Sequence, residues 1–238
     1  MTKRSILAAL LLTLAPIAVA AQEAASGPDA RPAPVVTPAQ ENFDTSYRPS
    51  PTISARVQRE FLERIRWSSG AKARDELAKA FAEKSPVDIW LELVADDGLA
   101  ANNVADALAS YWVINWVAAN GAYTAEIDSA PVQRQLRIAF ANEPSFARLS
   151  DQKRQEMAEG YILDFLVEHA ALNTAVAQRD VDMLNRLSAS AILRFRQNMK
   201  VDLLSVVPGP DGFTGRRAIV PTPAPTVAAE PVNEPAED

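Results

Sequence analysis

The sequence predicts an all-α protein: a single helical bundle of about six to seven helices with disordered Pro-rich tails. Three observations carry that prediction. Proline is confined to the ends: six of the 17 lie in Pro28–Pro51 and seven in Pro208–Pro235, which leaves Pro86, Pro131 and Pro144 for the whole middle once Pro16 is set aside. Proline lacks a backbone donor and fixes φ, so helix interiors exclude it. Between the two clusters, apolar residues recur at helical spacing. Strand signals are nearly absent there; the one extended candidate is Val201–Val207.

The ends have their own logic. Residues 1–20 read as a signal peptide, with Lys3 and Arg4 before the apolar run Ser5–Ala18 and a small-x-small site at Ala18-Val19-Ala20. The run is shorter than the roughly 20 residues of a bilayer span. Its removal takes two positive charges from a chain already at −6. Residues 21–46 form a flexible leader, 47–213 the helical domain, and 214–238 a disordered, acidic, Pro-rich tail. These features lead to an expectation of export, to a periplasmic or secreted destination, with no transmembrane segment after signal cleavage.

The elements follow in order. Ser50 is placed to cap the first helix with Pro51 behind it, and Ile53, Val57, Phe61 and Ile65 make one apolar stripe. The second helix covers about Ala71–Lys84, with Leu77, Ala80 and Phe81 inward. Ser85-Pro86-Val87-Asp88 opens the third as cap, first-turn proline and first-turn acid, and Gly98 stops it. The fourth, Asn103–Asn120, is apolar nearly all round, as expected of a helix in the middle of a bundle, with Gly121 as its left-handed terminator. The fifth follows Ser129 over about Pro131–Asn142. The sixth starts at the Ser150 cap and extends as far as Gln178. The seventh runs from Asp180 to about Met199, with Val181, Leu184, Ser188, Ala191, Ile192, Phe195 and Met199 on one face.

Composition closes several function classes. There is no cysteine and a single histidine, His169. Thiol catalysis, disulfide scaffolds, Fe–S clusters and ordinary zinc sites need more than that. No cofactor is expected. The acidic balance argues against a nucleic-acid partner, which calls for a basic face. Gly-x-Ser-x-Gly and phosphate-cradling glycine motifs are missing; Gly209-Pro-Asp-Gly212 is a turn. Asp96-Asp97-Gly98 and Asp180-Val-Asp182 look like fragments of calcium loops but lack the alternate ligands and closing Glu; they read as a helix end and an N-cap. Arg194, Arg196, Lys200 and Arg216-Arg217 read as a solvated basic face.

One constellation stands out. At 100° per residue, with Tyr161 at zero, Phe165 falls at about 40°, His169 at about 80° and Glu168 at about −20°. On the fourth helix, with Val104 at zero, Trp112 falls at about 80°, Tyr111 at about −20° and Asn115 at about 20°. The functional reading is a binding pocket in which Asn115, Glu168 and His169 meet between two central helices, walled by Tyr111, Trp112 and Tyr161. A Glu168/His169 pair in such a place has the chemistry for acid–base work. The competing reading is a buried, satisfied hydrogen-bond network that fixes helix register.

Two stretches carry a resemblance. Gly98-Leu-Ala-Ala-Asn-Asn103-Val-Ala-Asp106, continuing through Tyr111-Trp112 and Trp116 to Asn120-Gly121, resembles the central motif of an uncharacterised bacterial family, a helical domain of unknown function in exported proteobacterial proteins. Met199-Lys-Val-Asp202-Leu-Leu-Ser205 with Asp211-Gly-Phe213 resembles that family's closing motif; where its pattern has a glycine after the methionine, Lys200 stands here. The resemblance spans roughly Phe43–Phe213. It implies an exported helical domain and no activity. The expected function is therefore a non-enzymatic binding or interaction module of the cell envelope, for a protein partner or a small apolar ligand. The alternative is an enzyme using the Glu168/His169 pair in an inter-helix cleft.

Overall fold

A computed structural model describes residues 37–215, so the expected signal peptide, most of the leader and nearly all of the Pro-rich tail lie outside the described residues. The described residues form nine α-helices: α1 (Pro38–Glu41), α2 (Pro51–Ser69), α3 (Ala71–Glu83), α4 (Pro86–Leu93), α5 (Val104–Asn120), α6 (Ser129–Ala141), α7 (Pro144–Ala147), α8 (Asp151–Gln178) and α9 (Val181–Asn198). A 3-10 turn, Ala95–Asp97, follows α4. A hairpin of β1 (Val206–Gly209) and β2 (Gly212–Gly215) ends the described residues. The all-α prediction holds, and the seven long helices stand in the predicted order; the two extra ones, α1 and α7, have four residues each.

The caps explain most boundaries. Side chains of Ser85, Asn103, Ser150 and Asp180 accept backbone N–H bonds at the starts of α4, α5, α8 and α9. Gly121 ends α5 at φ 64°, in the left-handed region. Three boundaries differ from the prediction. Ser50 makes no side-chain cap; its backbone N–H and C=O are instead gripped by the Gln155 side-chain amide at 2.9 and 3.0 Å. Asp128, not Ser129, caps α6. Helix α4 stops at Leu93 rather than Gly98, and the Asp96-Asp97 pair forms the 3-10 turn.

Helix α5 is the hub, with α6, α8 and α9 packed around it. Val104, Ala105, Ala107 and Ala109 are wholly buried, and Leu108, Tyr111 and Trp112 nearly so. Asp106 and Ser110 on it are satisfied inside. Asp106 accepts from the Ala100 N–H at 2.8 Å and from Gln133 at 2.7 Å, and Arg137 pairs with it at 3.4 Å. Ser110 accepts from the Trp90 indole at 3.0 Å and donates to the Ala107 carbonyl at 3.0 Å. Among the described residues, no helix is long and apolar enough to cross a membrane.

Outside this hub, α2 lies along α8 and packs on α3. Ser50 meets Gln155, Ser54 meets Glu159 and Arg64 meets Asp164, so the two helices run parallel, and Arg56 adds an ion pair to Glu156. The inward stripe predicted for α9 is only partly realised: Ala191 and Phe195 are buried, whereas Val181 is 64% exposed.

The last part of the expected leader is packed. Phe43 meets Phe146 with ring centroids 6.1 Å apart, Thr45 is fully buried, and Ser46 pairs with Asn103 in an isolated β-bridge. Aromatic and backbone groups in 43–46 find partners on α7 and at the start of α5. At the other end, Phe213 inserts against Trp112 and Trp116, at 5.7 and 5.9 Å between centroids. Gln135 clamps the Phe213 backbone, accepting its N–H at 2.8 Å and donating to its carbonyl at 2.9 Å.

Candidate functional site

The predicted pocket residues sort themselves around Arg194, a side chain that the sequence alone assigns to a solvated face. Arg194 of α9 turns inward. Its Nη1 donates to the Tyr111 hydroxyl at 3.0 Å and to Asn115 Oδ1 at 3.3 Å, while its Nη2 pairs with Glu168 Oε1 at 2.5 Å. Its guanidinium carbon lies 6.0 Å from the centroid of the Tyr111 ring. Asn115 spends its amide donor on the Tyr111 carbonyl at 2.8 Å. Tyr111 stacks on Tyr161 at 5.5 Å and on Phe195 at 5.8 Å.

The electrostatics follow from burial. Loss of solvent pushes the Tyr111 hydroxyl up to about 12, with Arg194 opposing the shift. The Tyr161 hydroxyl is pushed up in the same way, with Tyr111 adding to the effect. Burial works against the Arg194 charge, but Tyr111 and Glu168 outweigh it and hold the guanidinium above its ordinary value. Both phenols stay protonated near neutrality, and the Arg–Glu pair neutralises itself. The cluster ties α5, α8 and α9 together.

Tyr111, Asn115 and Glu168 are thus brought together through Arg194, and Tyr161 joins them by stacking on Tyr111. His169 is not among them. Its ring stacks on Phe165 at 5.5 Å, one turn back, and contacts Asn173 at 3.0 Å, one turn on. Burial lowers its pKa. No Glu168–His169 hydrogen bond occurs. Trp112 also lies elsewhere, between Phe195 and Phe213, with an indole nitrogen that has no hydrogen-bond partner among the described residues.

A second polar cluster, absent from the sequence reading, lines an open cleft of about 260 Å³ between α2, α4 and α8. Glu159 is 6% exposed and Gln155 fully buried. Glu159 Oε1 accepts from Ser54 at 2.6 Å and from Gln155 at 2.8 Å. Oε2 takes no hydrogen bond, and no Lys or Arg pairs with Glu159, among the described residues. Asp88 also lines the cleft, its carboxylate accepting from the Ser85 hydroxyl at 2.6 Å. Pro49, Pro86, Val87, Ile162 and Leu163 supply apolar wall. Tyr47, 6% exposed, has a buried hydroxyl with no hydrogen-bond partner among the described residues; burial pushes its pKa up, and the Glu159 charge pushes it further.

Gln155 and Glu159 were missed because α8 buries two faces. They fall at about 120° and 160° from Tyr161, outside the arc centred on that residue. Ile162, Leu163 and Leu166, all buried, share the second face. That apolar group beside a Gln and a Glu four residues apart is the signal that marks it.

Fold and sites together define a helical bundle with a self-neutralised polar core and a side cleft. The chain belongs to a family of unknown function, DUF6683, whose profile matches residues 17–202. The match takes in all nine helices and stops short of the hairpin, so the stretch Ser205–Phe213, part of the resemblance noted in the sequence, lies beyond it. No curated protein and no solved structure matches the chain.

Proposed function

We propose that this protein is a non-enzymatic binding module of the cell envelope, exported through its N-terminal segment, and that the cleft between α2, α4 and α8 is where it takes a small ligand. One observation carries the reading: the buried Glu159 carboxylate lines an open concavity with one oxygen left unused by the protein. Ligand sites are concave, largely apolar, and carry a few placed polar groups. This cleft has a mixed polar and apolar lining, and its volume of about 260 Å³ lies just below the usual range of roughly 300–1,000 Å³, which suits a ligand of a few heavy atoms. The Glu168/His169 pair lends the enzyme alternative no geometric support, since Glu168 is engaged by Arg194 and His169 contacts Asn173. Support for export comes from the Lys3-Arg4, apolar run and Ala-Val-Ala pattern alone.

A thermal-shift screen of small amines, alcohols and carboxylates tests the reading. Compounds that raise the melting temperature of the wild type should fail to do so for Gln58→Trp, which puts a large ring into the cleft mouth. Equal stabilisation of the two proteins by every hit would refute it.

A further inference from the structure

We propose that the cleft takes a small organic cation, a primary ammonium on a short alkyl body, with the ammonium on Glu159 and the alkyl part against Val87, Ile162 and Leu163. This inference rests on the cleft being the ligand site. The first argument is charge. The cleft is lined by two carboxylates, Glu159 and Asp88, and by no Lys, Arg or His. Glu159 has two neutral donors on one oxygen and none on the other. Its two bonds hold the carboxylate in a fixed orientation, through a Gln155 side chain that is itself anchored on the Ser50 backbone.

The second argument is the donor demand around the site. The cleft presents acceptors: the carboxylates of Glu159 and Asp88 both line it, and Glu159 Oε2 takes no hydrogen bond among the described residues. An ammonium has three donors, so it can serve Oε2 and a second acceptor together. A carboxylate or phosphate ligand would meet like charge here. A metal ion fits poorly as well: among the described residues no group of three His, Cys, Asp or Glu is placed to hold one. The aliphatic side chains on the remaining wall suit a chain of a few carbons.

The test titrates the full chain with n-butylammonium, n-butanol and n-butyrate, followed by amide chemical shifts in a ¹H–¹⁵N spectrum. Butylammonium should shift the Val87, Glu159 and Ile162 amides and bind at least about tenfold more tightly than the other two, as a charge-assisted hydrogen bond requires. In Glu159→Gln the three probes should become equivalent, and Gln58→Trp should weaken all three. Glu159→Gln keeps the side-chain shape; should it fail to fold, the ranking of the three probes on the wild type decides alone. Butanol binding as well as butylammonium at the same amides would overturn the cation proposal and leave the cleft reading standing. Shifts from none of the three probes would overturn both.

Discussion

Arg194 and Glu168 form the ion pair that joins α9 to α8, at 2.5 Å between Nη2 and Oε1. The side chains are 27% and 14% exposed, so the pair is partly shielded from water. Removing the guanidinium leaves Glu168 without its cation and strips Asn115 and the Tyr111 hydroxyl of their donor. Arg194→Ala should therefore lower stability by about 2–3 kcal/mol, between a surface and a fully buried pair. A double-mutant cycle with Glu168→Gln, read by urea denaturation, should show a coupling of about 1 kcal/mol or more. Additive single effects would contradict the pairing.

His169 gives a pH signature. Burial lowers its pKa in the folded state, so the folded protein binds protons less readily than the unfolded chain. Its neutral form supports stability above the ordinary value of about 6.5, and that contribution is lost as pH falls from there through the folded pKa. As the only histidine, its ring signal can be followed alone by NMR; it should titrate below about 6.5. Replacement by Ala should flatten that part of the pH profile, with a neutral-pH cost under about 1 kcal/mol, because the ring is only half-buried. A pKa above the ordinary value would contradict the placement beside Phe165.

Gly212 is fixed by a close approach. Its φ is 88°, and a Cβ there would stand 2.9 Å from the Gln135 Cβ, inside ordinary contact. Gly212→Ala should push the Gln135 side chain away, release its two bonds to Phe213 and cost about 1–3 kcal/mol. The tryptophan emission should shift as Phe213 leaves Trp112 and Trp116. An unchanged melt and spectrum would refute the clamp.

Lys200 is the converse case. It holds φ 57°, a conformation that favours glycine, at the position where the resembling family's pattern has glycine. Lys200→Gly should raise stability by up to about 1 kcal/mol, the relief of a left-handed Cβ less the entropy that glycine loses. A lowered melting temperature would count against it.

Much of this architecture was legible in the sequence. Helix α5 announced its central position by being apolar on every side, and Ser85, Asn103, Ser150 and Asp180 announced four helix starts. The neighbourhood of Asn115 and Glu168 was legible because both interrupt apolar arcs. Arg194 was not, because an arginine at the edge of an amphipathic stripe looks solvated. The overlooked clue was Glu168 itself, a carboxylate on an inward arc that called for a cation. His169 shares that arc on a wheel, but its ring lies along its own helix, between Phe165 and Asn173. The Glu159 cleft needed knowledge that α2 and α4 flank α8, a tertiary fact that no periodicity in α8 contains.

The location of the ligand is the central claim, and intermolecular NOEs test it most directly. With methyl-labelled Ile, Leu and Val, butylammonium bound to the full chain should show contacts to Val87, Ile162 and Leu163. Contacts confined to methyls on other faces of the bundle, or none at saturating probe, would contradict the account.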